Sequence, residues 1–443
     1  MTVPAEARMD WLEKLVRIPS YRGREGARRE AALACVDMLE ETGFETALAG
    51  PADAPVVIAW LGEGMERRLL FYSHYDVVPP GDSDQWQTDP FTPTMVGDRL
   101  VARGVSDHKA SFVARLAAVA RLKSEGRLQT GITFLIEGEE EVGSPSLESV
   151  LKSFAGRLRA DGGLYSGGAR DEDGRMVVRA GCKGRCGIRL SVTAADRDNH
   201  SKWAAILPSA GWRLLAALSS LRDERTGRVL VDGFYDGIAE PDARDEAALA
   251  KLRFDTEALL SALGHKALAE SARCDPLRSL MFEPTFNLAW IDSGNGGATV
   301  LPGSASAMLD IRLVPGQSSE RVAALVAAQL AANGFDDVEL VLEGGSEPDK
   351  CDLSDPVVVA LEQACAGSGT DYCIHPMGAG SGPRHLFRRH LGYSLVQDPG
   401  CSWSGSNDHA ANENIVLSHF DENRRLIEQF LIAYGQSREQ HTS

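Results

Sequence analysis

The sequence predicts an α/β protein in which a mostly parallel sheet forms one domain and a ferredoxin-like βαββαβ unit is inserted into it. Three observations carry this prediction. Residues 69–136 read as an apolar strand, a helical pattern and a second apolar strand, the unit that builds parallel sheets with covered faces. Residues 188–342 read as strand, helix, strand, strand, helix, strand, the ferredoxin-like order. Histidine and acidic motifs suited to one common site stand on both sides of that second stretch, at 74–141 and 408–413, so the chain must return to its first domain. Its 443 residues also exceed what one hydrophobic core usually organises. The expected partition is 1–184 for the first part of the main domain, 185–346 for the insert and 347–443 for the returning part.

In chain order, Met9, Leu12, Leu15 and Val16 mark an amphipathic helix stopped by Pro19, and Ala31, Cys35, Met38 and Leu39 mark another. Strands are expected at Val56 to Trp60 and Leu69 to Tyr72. Phe112, Leu116, Val119 and Leu122 then recur at helical spacing before the strand 132–136. In the insert, strands are expected at 188–193, 285–291, 305–313 and 338–342, and helices at 207–221 and 318–333, with 230–280 as an excursion. In open α/β sheets the ligand crevice lies outside the carboxyl ends of the strands. His74 and the run Glu139-Glu140-Glu141 both stand at such ends.

Composition narrows the classes. A hydrophobic fraction of 43% with 25% charged residues is ordinary for a globular protein. The net charge of -17, from 46 basic and 63 acidic residues, argues against nucleic acid or an anionic membrane as partner. The N-terminal stretch lacks the apolar core of a signal peptide, and no apolar run approaches the roughly 20 residues that span a bilayer. The eight cysteines are scattered, and Cys182 and Cys186 have no second pair to complete a zinc knuckle. Free thiols in a reducing compartment, hence a cytoplasmic protein, is the expectation.

Three consecutive carboxylates after the apolar run Ile132 to Ile136 repel one another unless a cation lies among them. Ser73-His74-Tyr75-Asp76, Gly104-Val105-Ser106-Asp107 and the distant Asp408-His409 with Asn412-Glu413 supply the remaining hard and borderline ligands that bind zinc or manganese. Alone, His74 and Asp76 would be an ordinary surface or capping pair; in this company they indicate a metal site. A metal so bound lowers the pKa of its water towards ~7, and a neighbouring glutamate that is not a ligand can take the proton and pass it to a departing nitrogen. Glu140 is the candidate base.

The segments SHYDVVP, ARGVSDHKA, EGEEEVGS, DNHS, TVLPGSASAMLDIRLVPGQ and HAANE, in this order, resemble the metal-dependent aminoacylase, carnosinase and carboxypeptidase-G superfamily over nearly the whole chain. The resemblance implies a two-metal catalytic domain interrupted by a smaller lid and dimerisation domain. It implies that His74 is a ligand of one metal, Asp107 the carboxylate bridging two, and Glu141 and His409 ligands of the other. It further implies that Asp76 orients His74, that His200 stabilises developing oxyanion charge across a subunit interface, and that Arg312 clamps a substrate carboxylate. Alternation in Leu309 to Leu313 would equally place Arg312 on an exposed strand face.

One departure stands out. Similar proteins carry a ligand aspartate where this chain has Gly167, which removes a ligand from the site of His74 and Asp107. The expectation is one firmly bound divalent ion per chain, zinc or manganese. Asp171 or Asp173 would substitute only through a loop shift, and Gly167→Asp is expected to restore the second ion. His108, Lys202, Trp203, His375 and His385 receive no role.

Three functions are consistent with these residues. The leading one is a metal-dependent hydrolase cleaving a C–N bond of a small carboxylate-bearing substrate, such as an amide or dipeptide, in a homodimer or higher homo-oligomer built through the lid. The second is an aminohydrolase releasing ammonia from an electron-poor aminobenzoate such as 5-nitroanthranilate. The third is a non-catalytic binding protein on the same scaffold.

Overall fold

The two apolar runs around the Phe112–Leu122 pattern lie side by side and parallel, Arg68–His74 against Gly131–Glu137, with Leu69 opposite Ile132 and His74 opposite Glu137. All seven residues of Gly131–Glu137 are buried, which is why this strand shows no alternation in the sequence. The connecting helix, Ala110–Ser124, is buried almost all round and packs against the terminal helix Leu417–Gln436.

The computed structural model describes residues 5–294 and 298–436. They form two compact units. The first comprises the chain up to Gly181, Cys351–Pro376 and the chain from Leu386; the second comprises Cys182–Lys350 and Met377–His385. The division departs from the expected 1–184, 185–346 and 347–443 by a few residues at two boundaries. It also assigns Met377–His385, in the returning part, to the second unit.

The first unit is built on an eight-stranded sheet. Its strand order is Glu45–Ala49, Val56–Leu61, Gly131–Glu137, Arg68–His74, Gly162–Tyr165, Leu395–Gln397, Met176–Arg179 and Tyr372–His375. The middle pairings are parallel, while Glu45–Ala49 and Val56–Leu61 run antiparallel at one edge. The edge strand Glu45–Ala49 escaped the sequence reading because its pattern is half-exposed and weakly apolar. Leu70, Tyr72 and Leu135 share a core with Trp60, Leu151 and Phe387. The Arg115 guanidinium pairs with Asp398, both fully buried, and Arg115 Nη1 donates to the Tyr72 carbonyl at 2.9 Å. A small antiparallel sheet of Thr94–Val96, Arg99–Val101 and Asn414–Val416 carries the distant 403–413 loop back to residues 102–107.

The second unit has the ferredoxin-like order. Its antiparallel sheet runs Asn287–Asp292, Ser304–Leu313, Gly184–Thr193, Glu339–Ser346, with helices Ala210–Ser219 and Ser319–Ala332 in the two crossovers. Ala305, Ala307, Leu309, Ile311 and Leu313 alternate inward and pack with Leu214, Ala217, Val322 and Val326. All eight cysteines are free thiols, seven of them buried. Among the described residues no helix is long and apolar enough to cross a membrane.

Candidate metal centre

Strand ends assemble the centre in the first unit. His74 is the last residue of its strand and Glu137 the last of the neighbouring one, so the turn after Glu137 sets Glu140 and Glu141 beside His74. Asp107 arrives on the loop that opens helix Ala110–Ser124. This loop starts at Gly104, whose φ of 77° and lack of a side chain are both required, since a Cβ would lie 2.3 Å from Val77 Cγ1. The Asp107–His108 peptide is cis.

Glu413, 1% exposed, holds that loop. Its Oε2 accepts from Arg103 Nη1 at 2.7 Å and from Gly104 N at 2.8 Å. Its Oε1 accepts from Ser106 N at 2.9 Å and Asp107 N at 3.0 Å. Burial pushes the Glu413 carboxyl up to about 7 against the pull of Arg103 and these amides. Four donors on two oxygens nevertheless require the ionised form. The sequence reading noticed Glu413 only as part of a motif; a carboxylate that serves backbone amides leaves no sequence signal of that role.

Asp107 is the focus of three imidazoles. His74 Nε2 lies 3.0 Å and His108 Nε2 2.9 Å from its Oδ1, and His409 Nε2 lies 2.9 Å from its Oδ2. His409 Nε2 is also 3.3 Å from Glu141 Oε2. Two groups able to hold a metal ion result, Asp107 with Glu141 and His409, and His74 with Asp107 and His108, each with donor atoms within 4.8 Å of one another. His409 reaches its place with φ of 62°, a left-handed conformation uncommon for a side chain of this size.

The arrangement demands positive charge. Burial pushes the Asp107 carboxyl up, but the three histidines overrule it and hold it well below its usual value. Burial pulls His74 down, yet its bonds to Asp107 and Asp76 lift it well above the usual range. Asp107 and Glu141 raise His409 to about 10. His74 Nδ1 donates to the Asp76 carbonyl at 3.0 Å. In the neutral ring Nε2 is then an acceptor, and an acceptor 3.0 Å from a carboxylate oxygen needs a proton or a metal ion there. Imidazole and carboxylate donors fit a divalent cation.

The remaining expected residues fall as follows. The Asp76 carboxylate is 3.5 Å from His74 Nδ1 and its Oδ2 accepts from Glu141 N at 3.1 Å, so the close contact to the ring comes from its carbonyl instead. Glu140 stands half-buried beside these groups and accepts from Tyr165 Oη at 3.3 Å; desolvation of its carboxyl raises its pKa. Asp171 is bound to Arg175 Nε at 2.7 Å and to turn amides, and belongs to neither ligand group.

His200 and Arg312 belong to the second unit. His200 is exposed, on a two-residue strand paired with Val300–Leu301, and its Nδ1 accepts from Lys202 N at 3.1 Å. Lys202 and Trp203 follow in the same turn, with Lys202 Nζ 5.1 Å from the centre of the Trp203 ring. Arg312 lies on the face opposite the core and donates through Nη1 to Ser381 Oγ at 3.0 Å. It lines a cavity of about 1050 Å³ together with Lys183, Arg222, Arg278, Phe282 and Phe286. Lys183, whose pKa burial lowers to about 8, donates to the Glu283 carbonyl there.

Comparison with known proteins follows the same lines. The profile of peptidase family M20/M25/M40 matches residues 70–433. The chain is 26% identical over 397 residues to the "Probable di- and tripeptidase DUG2" of Saccharomyces cerevisiae, covering 84% of this chain and 43% of that one. It is 28% identical over 326 residues to the beta-Ala-His dipeptidase of Rattus norvegicus, covering 70% and 65%. The chain thus spans between about two fifths and two thirds of the length of these curated relatives. Among solved structures, an M20 family metallo-carboxypeptidase from Sulfolobus solfataricus superposes with a TM-score of 0.88 at 31% identity, covering 97% of this chain and 99% of that one.

Proposed function

The chain belongs to peptidase family M20/M25/M40, and from that membership we propose that it is a metal-dependent hydrolase cleaving the C–N bond of a small carboxylate-bearing substrate of the amide or dipeptide type. The observation that carries the reading is the convergence of His74, His108 and His409 on Asp107, beside the half-buried Glu140, which belongs to neither candidate ligand group.

Asp107, Glu141 and His409 would hold one firm divalent ion, zinc or manganese, which when bound would supply Lewis acidity towards water and the scissile carbonyl. Glu140 is the general base. Its carboxyl, raised by burial, is suited to taking a proton from the attacking water and returning it to the departing nitrogen. Asp76 fixes the tautomer of His74 through its carbonyl. Arg312 binds the substrate carboxylate, a role supported by the cationic lining of its cavity, and His200 stabilises oxyanion charge in a partner chain's site.

The assembly is a homodimer or higher oligomer built through the second unit, the lid and dimerisation domain. Strand Asn287–Asp292 is a sheet edge exposed along its length, with Trp290 and Ile291 42% and 45% exposed, and Trp212 on helix Ala210–Ser219 is 74% exposed. The free thiols fit the cytoplasm.

The test is a substrate panel with purified, metal-loaded protein. Amino-acid release from dipeptides bearing a free carboxylate is the expected outcome. Ammonia release from 5-nitroanthranilate instead would establish the aminohydrolase reading, and inactivity on both with metal bound would favour a binding protein.

A further inference from the structure

The aspartate expected at 167 is missing, and the structure shows that the ordinary replacement is closed. A Cβ on Gly167 would lie 2.3 Å from Ser111 Oγ and 2.9 Å from the Gly400 backbone, so an aspartate there displaces main chain before it can offer an oxygen. Gly167→Asp should therefore strain the backbone here rather than restore a second ion. Asp171, the other candidate, is engaged by Arg175.

His108 stands where a third ligand is needed. Its Nε2 is 2.9 Å from Asp107 Oδ1, the oxygen that His74 Nε2 approaches at 3.0 Å from another side. The two rings meet edge to face with centroids 5.0 Å apart, and both Nε2 atoms lie against that one oxygen. We propose that His108 replaces the missing carboxylate, and that His74, Asp107 and His108 form a second divalent-cation site sharing Asp107 with the first.

This inference rests on the metal-dependent reading above and adds a site to it. Exchange of a carboxylate for a neutral imidazole lowers the site's negative charge by one and shifts its preference towards borderline cations such as zinc over harder ones. Among the described residues His108 Nδ1 is buried without a hydrogen-bond partner, unlike His74 Nδ1 on the Asp76 carbonyl, so its ring lacks the outer contact that usually fixes a ligand histidine. Loss of such a contact typically weakens metal binding by roughly 10–100-fold, which makes this the weaker of the two sites.

The test is calorimetric titration of metal-free full-length protein with zinc, with metal analysis after dialysis at stepped zinc concentrations. Two binding phases are expected in the wild type. His108→Ala and His108→Gln should each keep the tight phase and lose the weak one, while His409→Ala should lose the tight phase first. His108→Asp, which returns a carboxylate, should recover a second phase. With manganese, the wild type should show the spin-coupled signal of two ions bridged by one carboxylate, and His108→Ala that of isolated ions. A single phase in the wild type, or two unchanged phases in both His108→Ala and His108→Gln, overturns the proposal. These readouts count ions without turnover, so inactivity on every substrate would leave the second site standing while removing the proposed reaction.

Discussion

Glu413→Gln should strongly destabilise the protein, because it removes a buried negative charge that four donors share. The carboxylate accepts two donors on each oxygen, and the amide can present only one acceptor oxygen. In either orientation its NH2 faces two donors, and leaving two buried donors unsatisfied costs roughly 2–6 kcal/mol at about 1–3 each. Independently, Arg103 is 1% exposed and loses its counter-charge, a change that costs about 3–5 kcal/mol when one partner of a buried pair is removed. The two figures describe the same loss and agree on a destabilisation of about 4 kcal/mol. Urea unfolding of the metal-free protein at pH 8, where the wild-type carboxyl is ionised, measures it. The Asp107 amide also loses its tether, so the tight ion should bind more weakly in the variant. A loss below about 1 kcal/mol would refute the reasoning, because it would place Glu413 outside the network that holds the metal loop.

Other outcomes follow from the same geometry. Glu140→Gln should lower turnover by about 10²–10⁴-fold while leaving metal content unchanged, whereas Glu141→Gln should weaken the tight ion; equal metal loss in both would show that the base has been assigned to the wrong glutamate. Burial raises Glu137 to about 8 against its bonds from Tyr72 and Ser144, so the folded state holds this proton more tightly than the unfolded chain does. Its contribution to stability is full below about 4.5 and is lost as pH rises through about 8. Glu137→Gln, which mimics the neutral acid, should flatten that part of the pH–stability curve, and parallel curves for the two proteins would refute the assignment. Mixed Glu140→Gln and His200→Ala chains should regain activity as heterodimers; a stable, fully active monomer would exclude a role for His200 in a partner's site.

The architecture and the metal-binding character of the centre were legible in the order and periodicity of the residues and in the motifs they form. The βαβ unit at 69–136 was legible because a strand buried on both faces is a continuous apolar run. The insert was legible because the covered face of Ser304–Leu313 alternates with period two. Glutamates at the end of an apolar strand call for a cation wherever the chain goes, and the resemblance carried by the six ordered motifs is what let His74, Asp107, Glu141 and His409 be named together. Pairing of specific atoms was decided only by tertiary structure. Asp107 and Glu413 are 306 residues apart and meet because Asn414–Val416 adds to the strand Arg99–Val101, a register that no local pattern encodes. The crowding of Gly167 by Ser111 and Gly400 and the aim of His108 at Asp107 are likewise matters of packing and direction. Periodicity shows which face a side chain occupies; it carries no information on which distant atom stands 3 Å away, because that distance is fixed by the closure of the whole chain.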